Sequence, residues 1–418
     1  MLGVLRTTWP LLLGILLLMV GNGVQGTLLG IRGGIEGFST SAMSVVMAAY
    51  FLGFLGGSRI TPDLIRNVGH VRVFAALGSM ISAILVLYPA VPDWVAWAVM
   101  RVLIGFCFAG VYVTAESWLN NAATNETRGQ ALSLYMIVQM VGIITSQAIL
   151  NLGDPSGYEL FIIPSVLVSL AFTPILLSAT PSPGFERTRG MSFAELFRIS
   201  PLGCAGMLLT GGVFSAMFGM ASVWGTLAGL SVPEITFFVG TIYVGGLVAQ
   251  YPIGWLSDRM DRRRLVVMLA GAGGAILMIG AVFDLPFALL LVLSVVMGGV
   301  TNPVYSLLIA HTNDFLKADQ MASASSGLLF LNGLGAIGGP LVTGWLMEMV
   351  GPGGFFLFIG SLLALLAAYG GWRMLRRPSS PKGETGSFVP LSPVASTLAV
   401  EAVLEAKGDD DAGRTRGA

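Results

Sequence analysis

The chain has 418 residues, of which 55% are hydrophobic and 11% charged, and its formal net charge is zero. Soluble domains average about 25% charged residues, and a mean hydropathy of +0.81 leaves too little charge to hold so large a surface in water. These values exclude an ordinary soluble globular protein, give no basic field for nucleic acid, and point to a chain embedded in a lipid bilayer.

Stretches free of Asp, Glu, Lys and Arg recur along the whole chain: 7–31, 37–58, 73–92, 129–153, 160–185, 199–233, 235–257, 265–283, 285–313, 320–347 and 349–372. A further stretch, 94–115, is broken only by Arg101. Each can hold the roughly 20 helical residues that cross a hydrocarbon core of about 30 Å. The period-2 alternation of a membrane barrel is absent, so backbone hydrogen bonds must be satisfied within helices. The expectation is an all-α integral membrane protein with twelve transmembrane helices. The first of these is expected to be uncleaved, because the first Ala, Ala42, comes too late to form a signal-peptide cleavage site. Cys107 and Cys204 both lie inside apolar runs and read as buried thiols rather than a disulfide.

Basic residues orient the helices. With the N-terminus inside, seventeen of the 22 Lys and Arg fall in inner segments, and the outer loops hold Arg32 alone. This bias predicts that both termini are cytoplasmic. The connection at 180–201 begins Pro181-Ser-Pro-Gly184 and contains an amphipathic stretch with Phe193, Leu196 and Phe197 on one side. It divides the chain into an N-terminal six-helix bundle, 1–179, and a C-terminal one, 202–377. Faint self-similarity at an offset near 191, such as Gly142 with Gly333, agrees with that division. Residues 378–418 are rich in Pro, Ser and Gly and carry the acidic run Asp409-Asp410-Asp411, which predicts a disordered cytoplasmic tail.

The segment after the eighth span reads Gly254-Trp-Leu-Ser-Asp258-Arg259-Met-Asp261-Arg262-Arg263. It resembles the signature loop of the major facilitator superfamily, with Asp261 where that signature has a second Gly. The twelve spans, the division into six and six, and the inward termini agree with the resemblance over about residues 1–377. Glu116-Ser-Trp-Leu-Asn120 and His311-Thr-Asn-Asp314 are similar to a bacterial branch of that superfamily. The resemblance implies a gate latch at Gly254, Asp258, Arg259, Arg262 and Arg263, in which charge pairs hold the inner ends of the two halves together and break on opening. The first-half counterpart, 56–70, keeps the residue types but not the Asp-Arg pair; Asp63 and Arg66 are its candidates, and His70 reads as a loop residue.

Arg101 is the one charge deep in a span, where it costs roughly 2.5–3.5 kcal/mol unless a partner or watery cavity receives it. Gly105, Tyr112 and Glu116 share its helix face, with Glu116 about 22 Å further in. Arg101 is the candidate for an anionic group of the solute or a proton-coupled carboxylate, and Glu116 is the candidate for proton coupling. In the resembling family the first, fourth, seventh and tenth helices line the cavity, which adds Asn22, Gln25, Asn302 and Tyr305. No phosphate loop, nucleophile turn or Cys/His metal cluster occurs, so neither an enzyme nor a cofactor is expected. The expectation is a secondary transporter of a small solute, proton-coupled for export, working as a monomer in a bacterial inner membrane. Uptake symport is the alternative within the class, and a non-transporting receptor or scaffold the alternative outside it.

Overall fold

A computed structural model describes residues 2–122, 125–176, 191–316 and 318–376. It is helical throughout these residues. Eleven helices are long and apolar enough to cross a membrane. In the first half these belong to α1 (Leu2–Ile35), α2 (Thr40–Val68), α3 (His70–Ala90), α4 (Trp94–Ala122) and α5 (Asn125–Ile149). In the second half they are α9 (Pro201–Leu227), α10 (Val232–Ser257), α11 (Arg262–Val282), α12 (Phe287–Asn313), α13 (Ala318–Val350) and α14 (Gly353–Arg376). The sixth expected span, 160–185, begins as α6 (Glu159–Ala171) and the short α7 (Thr173–Leu176), and its remainder lies outside the described residues. Of the expected linker, α8 (Phe193–Ile199) is described. It buries Leu196 and leaves Phe193 and Phe197 exposed. The expected tail, 378–418, lies outside the described residues.

Helix ends follow local chemistry. Ser39 caps α2 by accepting from the Ala42 N–H at 3.1 Å, and Ser231 and Glu234 form a reciprocal capping box on α10. The expected loop at 56–70 does not form. Instead α2 continues through Pro62 to Val68, and a single residue, Gly69, with φ 86°, reverses the chain into α3. That φ is accessible to Gly without a Cβ penalty. His70 is consequently not a loop residue. It is buried at the start of α3, with its Nε2 2.9 Å from Ser117 Oγ of α4.

The two halves repeat each other's packing. Contacts of α1 with α5 and α6, α2 with α4, and α3 with α4 and α6 recur as α9 with α13 and α14, α10 with α12, and α11 with α12 and α14. Glycines make the repeat visible. A Cβ on Gly53 would collide with the carbonyl oxygen of Val102, and one on Gly105 with that of Tyr50. In the second half, a Cβ on Gly245 would collide with the carbonyl oxygen of Val295, and one on Gly298 with that of Ile242. Gly245 lies 192 positions after Gly53, and Gly298 lies 193 after Gly105. Close backbone approach of this kind holds helices together where lipid removes the hydrophobic drive between them. Leu52, Val99, Phe237, Val248 and Leu365 face outward and are exposed, as a lipid-facing surface requires.

We call the end of the bundle that bears the α1–α2 turn the outer end, and the end that bears Gly69 the inner end. At the outer end the halves approach closely. Gly30 and Gly34 of α1 pack on Ser222 and Thr226 of α9. The Ser41 N–H donates to Glu348 at 2.8 Å, and Asn151 donates to Thr236 Oγ1 at 3.0 Å. Toward the inner end, Arg59 of α2 lies over the Phe330 ring of α13, 4.2 Å from its centroid.

Candidate functional site

Arg101 sits on α4 in its outer half and is 4% exposed. Its Nη1 donates to Gln25 Oε1 of α1 at 2.9 Å, and Nη2 faces the Met47 sulfur of α2 at 3.2 Å. The Tyr50 ring lies against the guanidinium, 4.8 Å from centroid to Cζ. Gln25 in turn donates to Tyr88 Oη at 3.4 Å. The Nε proton has no acceptor, and no carboxylate among the described residues is within ion-pair distance of Arg101. A guanidinium stays protonated in proteins, so a buried positive charge stands here without a counter-ion. Thioethers are weak acceptors, so the edge formed by Nε and Nη2 is nearly unsatisfied.

Two helical turns and more toward the inner end, Asn22 of α1 donates to Tyr112 Oη of α4 at 3.3 Å. One turn back toward the outer end on the same face, a Cβ on Gly26 would meet nothing within 4 Å. Asn22 itself is only partly buried. These residues therefore border an open space inside the bundle. Further in, Glu116 is buried close enough to Tyr112, Tyr135 and Tyr305 to act on each electrostatically. The structure thus brings together Arg101 with Gln25, Asn22 with Tyr112, and Glu116 with Tyr305. Tyr305 Oη is buried without a hydrogen-bond partner. Asn302 is not part of this group. Its amide fills the space over Gly246 of α10, inside the second half.

Sequence reasoning missed Tyr50, Tyr88 and Tyr135. Six of the nine tyrosines in the chain, Tyr50, Tyr88, Tyr112, Tyr135, Tyr243 and Tyr305, lie in or beside this interior, on six different helices. Their recurrence in the middle of apolar runs was the available signal; counting Tyr as apolar hid it.

The loop between α10 and α11 is built differently. Gly254 is buried on the last turn of α10, and its carbonyl accepts from the Asp258 N–H at 3.2 Å. Asp258 and Arg259 are exposed, and Arg259 folds back over Trp255, donating to that residue's carbonyl at 3.0 Å. Arg262 is buried. It ion-pairs with Asp314 at the end of α12 and donates to the Ala310 carbonyl and Ser257 Oγ, both at 3.3 Å. Asp261 caps α11 through the Arg263 N–H at 2.9 Å and pairs with the Arg263 side chain at 3.0 Å. Partial burial opposes ionisation of Asp261, but hydrogen bonds from the Arg263 side chain and N–H, with the charges of Arg263 and His311, outweigh it. Together they hold the carboxyl below its usual range. The pairs described for Arg262 and Arg263 lie within the C-terminal half. Asp63 and Arg66 form an exposed pair at 3.6 Å, one turn apart on α2, which is worth little in water. Cys107 and Cys204 are buried free thiols.

Among the described residues, two halves with the same helix packing and eleven helices long and apolar enough to cross a membrane are the architecture of a multi-pass membrane protein. The profile of the Major Facilitator Superfamily matches residues 11–243 and 202–407, and the chain belongs to that superfamily of transporters rather than to any enzyme class. It is 26% identical over 370 residues to the MFS-type transporter YcaD of Escherichia fergusonii, covering 85% of this chain and 93% of that protein. It is 25% identical over 359 residues to an MFS-type transporter of Enterobacter sp. strain 638, with the same coverage. Among solved structures, a mutant of the nucleoside transporter NupG superposes with a TM-score of 0.75 at 16% identity, over 88% of this chain and 99% of that one. The human organic anion transporter MFSD10 does so with a TM-score of 0.60 at 14% identity, over 88% and 99%. At these identities the structural likenesses speak for the fold alone.

Proposed function

We propose that the chain is a secondary transporter that moves a small anionic solute by alternating access, coupled to protons and directed outward from the cytoplasm. The single observation that supports the anionic solute is Arg101, buried to 4% exposure, with an unsatisfied Nε and no carboxylate partner among the described residues. Leaving a cation so placed is costly for stability, and a site that receives an anion in each cycle gives that cost a purpose. Glu116, facing Tyr135 and Tyr305, is the coupling carboxylate in this reading. Residues 1–179 and 202–377 are the two moving halves, joined by 180–201, with both termini cytoplasmic in a bacterial inner membrane and the monomer as the working unit. The 254–263 loop braces the inner ends of α10, α11 and α12, so that they tilt as one body when the latch opens.

The test is transport by the purified protein in liposomes loaded with a pH-sensitive dye, supplied with a panel of small anions. The wild type is expected to move an anion together with, or in exchange for, protons. Arg101→Ala should abolish this while the protein still inserts and folds, and unchanged kinetics in that variant would refute the site. Glu116→Gln should uncouple proton flux from solute flux. If solute enters down the proton gradient, uptake symport replaces export.

A further inference from the structure

The surroundings of Arg101 narrow the class of anion. Its Nη1 is engaged by Gln25, while Nε has no acceptor and Nη2 has only a thioether. The open edge of the fork is therefore the Nε–Nη2 side, the edge on which a planar carboxylate places its two oxygens side by side. Among the described residues no second uncompensated buried arginine accompanies it: Arg262 and Arg263 pair with Asp314 and Asp261 at the inner loop. One buried charge balances one negative charge. A dianion would bring a second charge into a low-dielectric interior with nothing to meet it.

A chain of ring contacts runs from the Tyr50 ring on Arg101 through both halves. Tyr50 lies on the guanidinium and continues to Phe54 at 6.1 Å, and Phe54 to Tyr112 at 5.9 Å. Phe51 meets Phe214 of α9 across the two halves at 6.4 Å; Phe214 stacks edge-on to Phe218 at 4.5 Å, and Phe218 lies 4.5 Å from Tyr243 of α10. Tyr243 is in turn close enough to Tyr50 and Tyr112 for their hydroxyls to interact electrostatically. The rings close into a girdle. Phe54, Phe214, Phe218 and Tyr243 are only partly buried, so each ring keeps surface that its aromatic neighbours do not cover. Ring faces and edges prefer another ring at 4.5–7 Å, and an aliphatic chain gains only area there.

We propose that the transported solute is a small aromatic monocarboxylate, its carboxylate side-on to Arg101 and its ring held in the girdle formed by Tyr50 and the rings of both halves. This rests on the reading of Arg101 as the anion-docking residue. Because the girdle includes residues of α2, α9 and α10, the ligand touches both halves at once and helps to draw them together. The two bundles thus sense occupancy through the ring as well as through the charge.

The test uses the full-length protein in detergent and titration calorimetry with benzoate, acetate, terephthalate and benzamide as probes. Benzoate should bind about tenfold or more tighter than acetate. Terephthalate, with its second charge unmet, and benzamide, without a charge, should each be weaker than benzoate by at least about tenfold. Tyr50→Leu should weaken benzoate by roughly fivefold and leave acetate within about twofold, and Tyr50→Phe should restore benzoate. Arg101→Lys, which keeps the charge but loses the fork, should weaken benzoate about tenfold, and Arg101→Met should eliminate it. Arg101-dependent binding that favours acetate or terephthalate over benzoate would overturn the aromatic monocarboxylate while leaving the anion site standing. Benzoate binding that survives in Arg101→Met would overturn both. Absence of binding by every probe would overturn the proposal.

Discussion

Two buried arginines in one chain are met in opposite ways. Arg262, at the inner end of α11, has an Asp314 carboxylate, a backbone carbonyl and a serine hydroxyl around it. Arg101, in the outer half of α4, has a glutamine, a sulfur and an aromatic face. Both are almost fully shielded, at 5% and 4% exposure. Burial alone therefore does not say what a charge is for; its partners do. A charge met by an opposite charge and by acceptors holds structure together. A charge left unmet lowers stability, and in the proposed reading the solute meets it.

The largest expected effect breaks this contrast open. Asp314→Ala strands the Arg262 guanidinium and should destabilise the protein by about 3 kcal/mol or more, read as a fall in the unfolding midpoint in detergent. Arg101→Met should leave stability unchanged or raise it by about 1 kcal/mol, because it removes a charge that was never compensated and fills the space with a side chain of similar length. A comparable loss in both variants would erase the distinction.

A smaller effect sharpens it. Gly105 and Gly298 occupy matching positions in the two halves, each against a carbonyl of the neighbouring helix. Substituting Ala at either should cost about 1–3 kcal/mol through forced separation of backbones. Only Gly105→Ala displaces Tyr50, whose carbonyl it meets, and so only it should weaken solute binding as well. In the second half the position one turn before that glycine, matching Arg101, is Ser294, bonded to Thr241. The same backbone carries a structural hydroxyl there.

The smallest effect concerns the inner loop. The Asp261 carboxyl ionises below its usual range, so its contribution is complete above the ordinary aspartate value near 4 and is lost as pH falls through the lower folded value. Asp261→Ala should flatten the acid limb of the melting-temperature profile below about pH 4, and at pH 7, where its contribution is complete, it should cost the cap, about 1 kcal/mol, together with the pairing to Arg263.

Much of the fold was legible before any coordinates. Long apolar runs in lipid have to be helices, since each backbone group needs an internal partner, and α1 to α5 and α9 to α14 follow those runs closely. Of the sixth run, α6 and α7 follow it as far as Leu176, and the rest lies outside the described residues. The first-half loop was placed at 56–70 by its likeness to the second-half signature, whereas α2 carries Pro62, Asp63 and Arg66 on its last turns and leaves the reversal to Gly69. In the site, Arg101 stood out because a charge in an apolar run is conspicuous. Tyr50 and Tyr88 did not, because aromatic rings are at home in such runs, and only their hydroxyls and ring faces mark them as partners of Arg101.

The sequence by itself determined where the chain crosses the membrane, how it divides into two repeats and which charge is out of place. Each of these follows from composition along a line: desolvation cost, helix length, and the spacing of glycines that let backbones touch. Only the tertiary structure decided who meets that charge. Helix rotation and tilt bring Gln25 from 76 residues away and Met47 from 54, and set Asp314 on Arg262 from 52. Hydropathy fixes that a helix is buried in lipid, but the azimuth of each side chain is set by close packing between helices, and that azimuth decides whether a buried arginine meets a carboxylate or a glutamine.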